Sequence, residues 1–208
     1  MSKIVELMSG RALEHGIGML VDHGRGSGSK MYIGGQANAD VAAGTVINGD
    51  GEGTTETETT EYTVPANTLV AGSTIRCKFY VHCPSGNGSD TTQIGLRFGA
   101  NTTASSNTGI ETSALDLANS GAVCIGDAVV QIRTAGSSGT AIMFGTIAMD
   151  VDTTGIALSS DESGALATFA INTTVANYLS VTITLGSTNA SMVAQSEAFI
   201  VDIYNPST

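Results

Sequence analysis

Tryptophan is absent from this chain, and only 13% of its residues carry a charge, about half the share of an average soluble domain. Nowhere do about 20 apolar residues run together, so no membrane-spanning helix is expected. Lys3 is followed by apolar residues that Glu6, Arg11 and Glu14 interrupt, which leaves no signal-peptide core. The expectation is a chain made in the cytosol that leaves it, if at all, by cell lysis. Catalytic signatures are missing too. There is no Gly-x-Ser-x-Gly elbow and no Cys/His pairing that suggests a thiol nucleophile. His15, His23 and His82 lack metal-ligand spacing. Gly24-Arg-Gly-Ser-Gly-Ser29 has no strand before it and no helix after it, so it reads as linker and not as a phosphate loop. A protein that is not an enzyme and needs no cofactor is expected.

Gly, Thr, Ser, Ala and Val fill the space that charge leaves. β-Branched Thr, Val and Ile favour an extended backbone, and Gly supplies the positive φ of tight turns. A chain rich in both is strands and turns. The net charge is −11 and unevenly spread. Lys3, Arg11, Arg25 and Lys30 against Glu6, Glu14 and Asp22 give residues 1–30 a charge of +1, which leaves −12 for the rest. So acidic a body repels phosphate backbones, and nucleic-acid binding is not expected of it.

The chain divides near residue 58. Residues 1–58 have no sustained period. A helical turn or two fits Ile4 to Val21, and modest strands fit Met31–Ile33 and Thr45–Asn48. This reads as an extended N-terminal arm, too poor in apolar surface to fold alone and ordered, if at all, by a partner, with folding back onto its own oligomer as the alternative. From Thr59 the signals are regular. Glu61–Val64 ends at Pro65. Thr74–His82 sets Ile75, Cys77, Phe79 and Val81 against Arg76, Lys78, Tyr80 and His82. Thr92–Gly99 alternates through Ile94, Leu96 and Phe98, and a less clear stretch holds Ile110, Leu115 and Leu117. Val123–Thr134 turns Val130 and Ile132 inward and Gln131 and Arg133 outward. Ala141–Asp150, Ala165–Ile171, Tyr178–Leu185 and Glu197–Tyr204 complete about eight strands. The fold class is all-β, an antiparallel two-sheet sandwich over residues 59–208. The length suits a jelly roll, which strand pattern alone does not separate from other sandwiches.

Three residues sets invite a chemical reading. Cys77 and Cys83 lie six residues apart in one strand, roughly 20 Å at about 3.3 Å per residue, beyond disulfide reach. With Cys124 they read as small buried hydrophobes. Asn48-x-Asp50-x-Glu52-Gly53, with Glu56 after it, has the alternate oxygens and turning glycine of a Ca²⁺ loop. Its twelfth position is Thr59, where a bidentate carboxylate belongs, so an acidic linker is the preferred reading and no metal site is assigned. Asp150 and Asp152, with Asp161 and Glu162 in a later turn, offer a carboxylate pair of glycosidase type. Two acids before Thr-Thr-Gly more often accept backbone hydrogen bonds in a turn.

Tyr62-Thr-Val-Pro-Ala-Asn-Thr-Leu69 followed by Ala71-Gly-Ser-Thr-Ile-Arg76 resembles the opening of a widespread group of tailed-phage structural proteins. Thr92–Gly99 is similar to the group's second strand, ending in Phe-Gly. Val129-Val-Gln-Ile-Arg-Thr-Ala-Gly136 is similar to its central strand and turn, and Thr182-Ile-Thr-Leu-Gly186 falls where the group has a late strand. The resemblance covers roughly residues 59–208. It implies a place on the virion exterior as a capsid decoration (cement), head-fibre or tail-fibre protein. Together with the low charge it implies a homotrimer. The expected function is binding the major capsid protein on the outside of the shell, with the arm cations Lys3, Arg11, Arg25 and Lys30 making the contact. A tail-fibre or receptor-binding module is the alternative. A glycan-binding tip should carry aromatics in its loops, and loops 84–91, 100–109 and 135–140 have none.

Overall fold

A computed structural model describes residues 33–35, 47–48, 55–85, 91–116, 122–151, 155–160, 168–186 and 193–206. Thirteen strands are seen: β1 (Ile33–Gly35), β2 (Ile47–Asn48), β3 (Thr57–Val64), β4 (Thr74–Ser85), β5 (Thr91–Gly99), β6 (Thr108–Glu111), β7 (Leu115–Asp116), β8 (Ala122–Thr134), β9 (Gly139–Val151), β10 (Gly155–Ser160), β11 (Phe169–Ile171), β12 (Asn177–Leu185) and β13 (Val193–Asn205). One turn of 3-10 helix, Ala104–Ser106, is the only helix among the described residues.

The larger sheet runs β1-β13-β4-β8-β9-β10, with β2 also on β13 and β11 also on β9. The smaller runs β3-β12-β5-β6, with β7 also on β5. All pairings are antiparallel. The last two long strands do not add to an edge. β12 enters between β3 and β5, and β13 enters between β1 and β4, each in the opposite sheet from the other. This interleaving of late strands among early ones ties the two antiparallel sheets into a sandwich, with β9, β10 and β11 extending the larger sheet.

The core lies where the period-2 alternation puts it. Ile75, Cys77, Phe79, Val81 and Cys83 of β4 are buried, as are Ile94, Leu96 and Phe98 of β5 and Leu179, Val181, Ile183 and Leu185 of β12. Phe79 sits between two register partners, Phe199 of β13 and Gly126 of β8. A Cβ on Gly126 would overlap the Phe79 ring. The ring therefore fills the space that the glycine leaves open.

Strand β13 changes parity along its length. Ala194 and Ser196 are buried at even positions, then Phe199, Val201 and Ile203 at odd ones. An irregularity between Ser196 and Ala198 makes the switch and leaves Glu197 exposed. Simple alternation from Glu197 onward therefore finds only the second half of the strand.

Other differences have plain causes. The unclear stretch resolves into the two short strands β6 and β7. Strand β10, Gly-Ile-Ala-Leu-Ser-Ser, is not among the expected strands, because it is short and its small residues carry little pattern. Of the strand expected at Ala165–Ile171, the described part is Phe169–Ile171. Two pieces of the segment read as an arm, β1 and β2, pair with β13. Composition suggested a partner molecule for them, and these pairings lie within the chain.

Cys77, Cys83 and Cys124 are free and buried. Burial pushes each thiol up to about 12. Nearby Asp127 adds to the rise at Cys77, whose thiol donates to the Ala128 carbonyl at 3.6 Å, and Cys83 adds to it at Cys124. At pH 8 the folded chain should resist alkylation and yield three modified cysteines only after unfolding, read by mass spectrometry. Because the folded thiols hold their protons more tightly than unfolded ones, stability should be intact below about pH 9 and fall as pH rises toward 12. Gly126→Ala should cost about 1–3 kcal/mol in urea unfolding, since the Phe79 ring has nowhere to move at native packing density.

Candidate interaction surfaces

The sandwich offers three surfaces, and the candidates named from the sequence distribute unevenly among them. At one end of the sandwich, loops 65–73, 99–107, 134–138 and 172–176 come together, because Val64 pairs with Asn177, Gly99 with Tyr178 and Thr74 with Gln131. None of these loop residues is charged or aromatic. They are tied by hydrogen bonds. Asn67 N–H donates to the Thr173 carbonyl at 2.8 Å, and Thr173 N–H to the Gly136 carbonyl at 3.0 Å. Gly136 N–H returns to Thr173 Oγ1 at 2.8 Å. The Ser73 hydroxyl accepts from Val70 N–H and donates to Asn205 Oδ1, and Asn205 Nδ2 donates to the Thr68 carbonyl. Asn67 has φ 61° and Gly72 φ 86°, left-handed values that Asn and Gly adopt at least cost.

These are the residues of the Pro65-Ala-Asn-Thr-Leu and Gly72-Ser-Thr motifs. Their role in this structure is to lock one end of the fold. Ile33 of β1 pairs with Asn205 at the same end.

The outer face of the smaller sheet is acidic. Arg97 projects from β5 and is largely buried between carboxylates. Its Nε donates to Glu56 Oε1 at 2.7 Å and one terminal nitrogen to Glu56 Oε2 at 3.1 Å, a bidentate pair, while Glu111 takes a further bond. Thr182 of β12 donates to Glu56 Oε1 at 2.6 Å. Burial alone would raise the Glu56 carboxyl, but the bonds from Arg97 and Thr182 and the Arg97 charge bring it below its ordinary value. On the same face Glu61 moves the other way, pushed up by burial and by the neighbouring Glu58 against a hydrogen bond from Thr63. Glu56 was a candidate calcium ligand by spacing. It instead clamps the start of β3 across β12 to β5, a contact over 41 residues of sequence that no local motif signals.

The outer face of the larger sheet is different in kind. Its rows, read across β13, β4, β8 and β9, are Asp202–Arg76–Val129–Phe144, then Ile200–Lys78–Asp127–Thr146, then Ala198–Tyr80–Ile125–Ala148. Val123, Ile125 and Phe144 remain 49%, 47% and 40% exposed. Lys78 pairs with Asp127 at 3.5 Å, and His82 lies 3.8 Å from Glu197. A shallow depression opens between Arg76, Lys78, Asp127, Ile200 and Asp202.

The remaining candidates do not converge. Lys3, Arg11, Arg25, Lys30, His15, His23, Asp50, Glu52, Gly53, Asp152, Asp161 and Glu162 lie outside the described residues. Asp150 lies in β9 with its backbone opposite Ile156, and the connection from β9 to β10 falls on 152–154, also outside them. Asn48 pairs with Val193 through β2. Among the described residues, no three His, Cys, Asp or Glu side chains come together as a metal site, and no helix is long and apolar enough to cross a membrane.

No protein-family model matches the sequence. No curated protein matches it either. Among solved structures the fold is similar to a chain described as the crystal structure of polysaccharide lyase family 18 aly-SJ02 r-CATD. The two share 11% identity over 79% of this chain and 89% of that one, with a TM-score of 0.30. A likeness at that score carries no functional argument.

Replacing Arg97 by Gln should cost about 1–3 kcal/mol at pH 7, because two carboxylates lose a bidentate, largely buried partner. The deficit should shrink as pH falls below the ordinary carboxylate range. There Glu56 takes up a proton, and the native chain loses the contribution that its lowered carboxyl makes at neutral pH. Urea titrations of both proteins at pH 7 and pH 3.5 check this.

Proposed function

We propose that this chain is a structural protein of the tailed-phage virion exterior, a capsid decoration protein that binds the outer surface of the assembled head shell and has no catalytic role. The observation that carries the reading is the loop end. The residues that carry the resemblance to phage virion proteins interlock there into an uncharged surface, and β1, the described strand nearest in sequence to Lys3, Arg11, Arg25 and Lys30, begins its pairing with β13 beside it. A chain of net charge −11 thus has one loop end without a charged residue, and its sequence places four cations ahead of the strand that reaches that end. That arrangement suits docking on the major capsid protein, with acidic surfaces facing outward. Rigid loops lose little conformational freedom on binding, and an extended arm wraps a large surface. Binding only the assembled lattice stabilises it by mass action. A homotrimer on the virion surface, assembled in the host cytoplasm, fits the low charge of the body.

Purified shells lacking this protein provide the test. Full-length protein with Lys3, Arg11, Arg25 and Lys30 all changed to Glu should keep its cooperative unfolding and bind shells at least tenfold more weakly in co-sedimentation. Wild-type binding should weaken with salt. Unchanged affinity of the quadruple variant would move the contact off the arm, and failure of wild-type protein to bind any shell would remove the decoration reading.

A further inference from the structure

The four cations beyond residue 58 are not spread evenly. Arg97 is consumed by Glu56 and Glu111 on the smaller sheet. The other three, Arg76, Lys78 and Arg133, are exposed on strands β4 and β8 of the larger sheet, all projecting away from the core. Among the side chains described on this face, three carboxylates stand opposite them, Asp127, Glu197 and Asp202. Its described charges are therefore balanced, on a chain whose net charge is −11. Two rows of apolar side chains, Val123 and Ile125 on one side of the Lys78–Asp127 pair and Val129 and Phe144 on the other, lie in this balanced field.

We infer that the outer face of β13, β4, β8 and β9 is where a second copy of this chain docks. Three arguments converge. Copies of an acidic protein repel wherever carboxylates dominate, so they approach most closely where the charges cancel. Cations and carboxylates on neighbouring strands let one copy's Arg76 and Lys78 meet acids of the next while apolar rows exclude water. The size is also right. Four strands of about 13 residues, at ~3.3 Å per residue and ~4.8 Å between strands, make a face of roughly 40 by 15–20 Å. That is on the order of 700 Å², close to the ~800 Å² per partner that a stable interface buries. This rests on the homo-oligomeric part of the function proposed above, and it assigns to the sheet face a contact separate from the shell-facing loop end.

Light scattering and sedimentation equilibrium on the full chain test it. Wild-type protein should exceed the 21.0 kDa chain mass at micromolar concentration. Ile125→Lys and Phe144→Lys should each raise the dissociation constant at least tenfold, with Val175→Lys on the loop end leaving it unchanged. If either sheet variant fails to fold, the unmodified chain still decides. Acylation of Lys78 should slow severalfold between dilute and concentrated protein. A monomeric wild type, a full-strength oligomer in the sheet variants, or Lys78 reactivity independent of concentration would each overturn the inference. Loss of shell binding in a sheet variant whose oligomer is intact would also overturn it and make this face a shell contact. An oligomer broken by the sheet variants in a protein that ignores shells would support the inference and sink the decoration reading alone.

Discussion

Strand β13 holds this molecule together, because it joins the C-terminal part of the sequence to three strands from its first half at once. It pairs with β4 along most of its length and receives β1 and β2 on its other side. Its inward residues Phe199, Val201 and Ile203 close the core beside Phe79. A straight strand could not place both Ala194 and Phe199 inward, so the irregularity after Ser196 is what allows one strand to serve both halves of the sheet. Until β12 and β13 arrive, β3 and β5 lack the strand between them, and β4 lacks a neighbour on one side. Such non-local closure makes the fold slow to reach, and the apolar faces stay exposed until late.

Once closed, the sandwich leaves two outer faces with opposite characters. On the smaller sheet the single cation is spent inside the chain, where Arg97 binds Glu56 and Glu111 and fixes the start of β3. On the larger sheet the cations remain at the surface beside Val123, Ile125 and Phe144. The same residue type is structural on one face and available on the other. Burial decides which, since a bidentate pair shielded from water is committed and an exposed Lys78–Asp127 contact is exchangeable. The loop end adds a third character, neutral and rigid, so that the molecule presents distinct chemistry in each direction.

Much of the fold was legible in the residues. Alternation in β4, β5, β8 and β12 named the inward side chains, because period 2 is a property of the strand itself and needs no knowledge of its partner. The distance between Cys77 and Cys83 along one strand ruled out a bridge between them for the same local reason. The candidate surfaces were less legible. Alternation put Val123 and Ile125 on the side of Gln131 and Arg133, but nothing local says whether a hydrophobic outward position is covered. Spacing made Glu56 a calcium candidate because ligand spacing counts oxygens without asking where they point.

The sequence by itself determined the all-β class, the inward set of the long regular strands, the end of β3 before Pro65, and the unbridged pair Cys77 and Cys83. All of these follow from interactions within a few residues of one another. Only the tertiary structure decided that β12 and β13 enter between earlier strands, that β1 and β2 join the chain's own last strand, and that Glu56 meets Arg97. The same holds for the gathering of three surface cations on one face. Those outcomes depend on which strands become neighbours, and neighbour choice is set by closing the whole core at once.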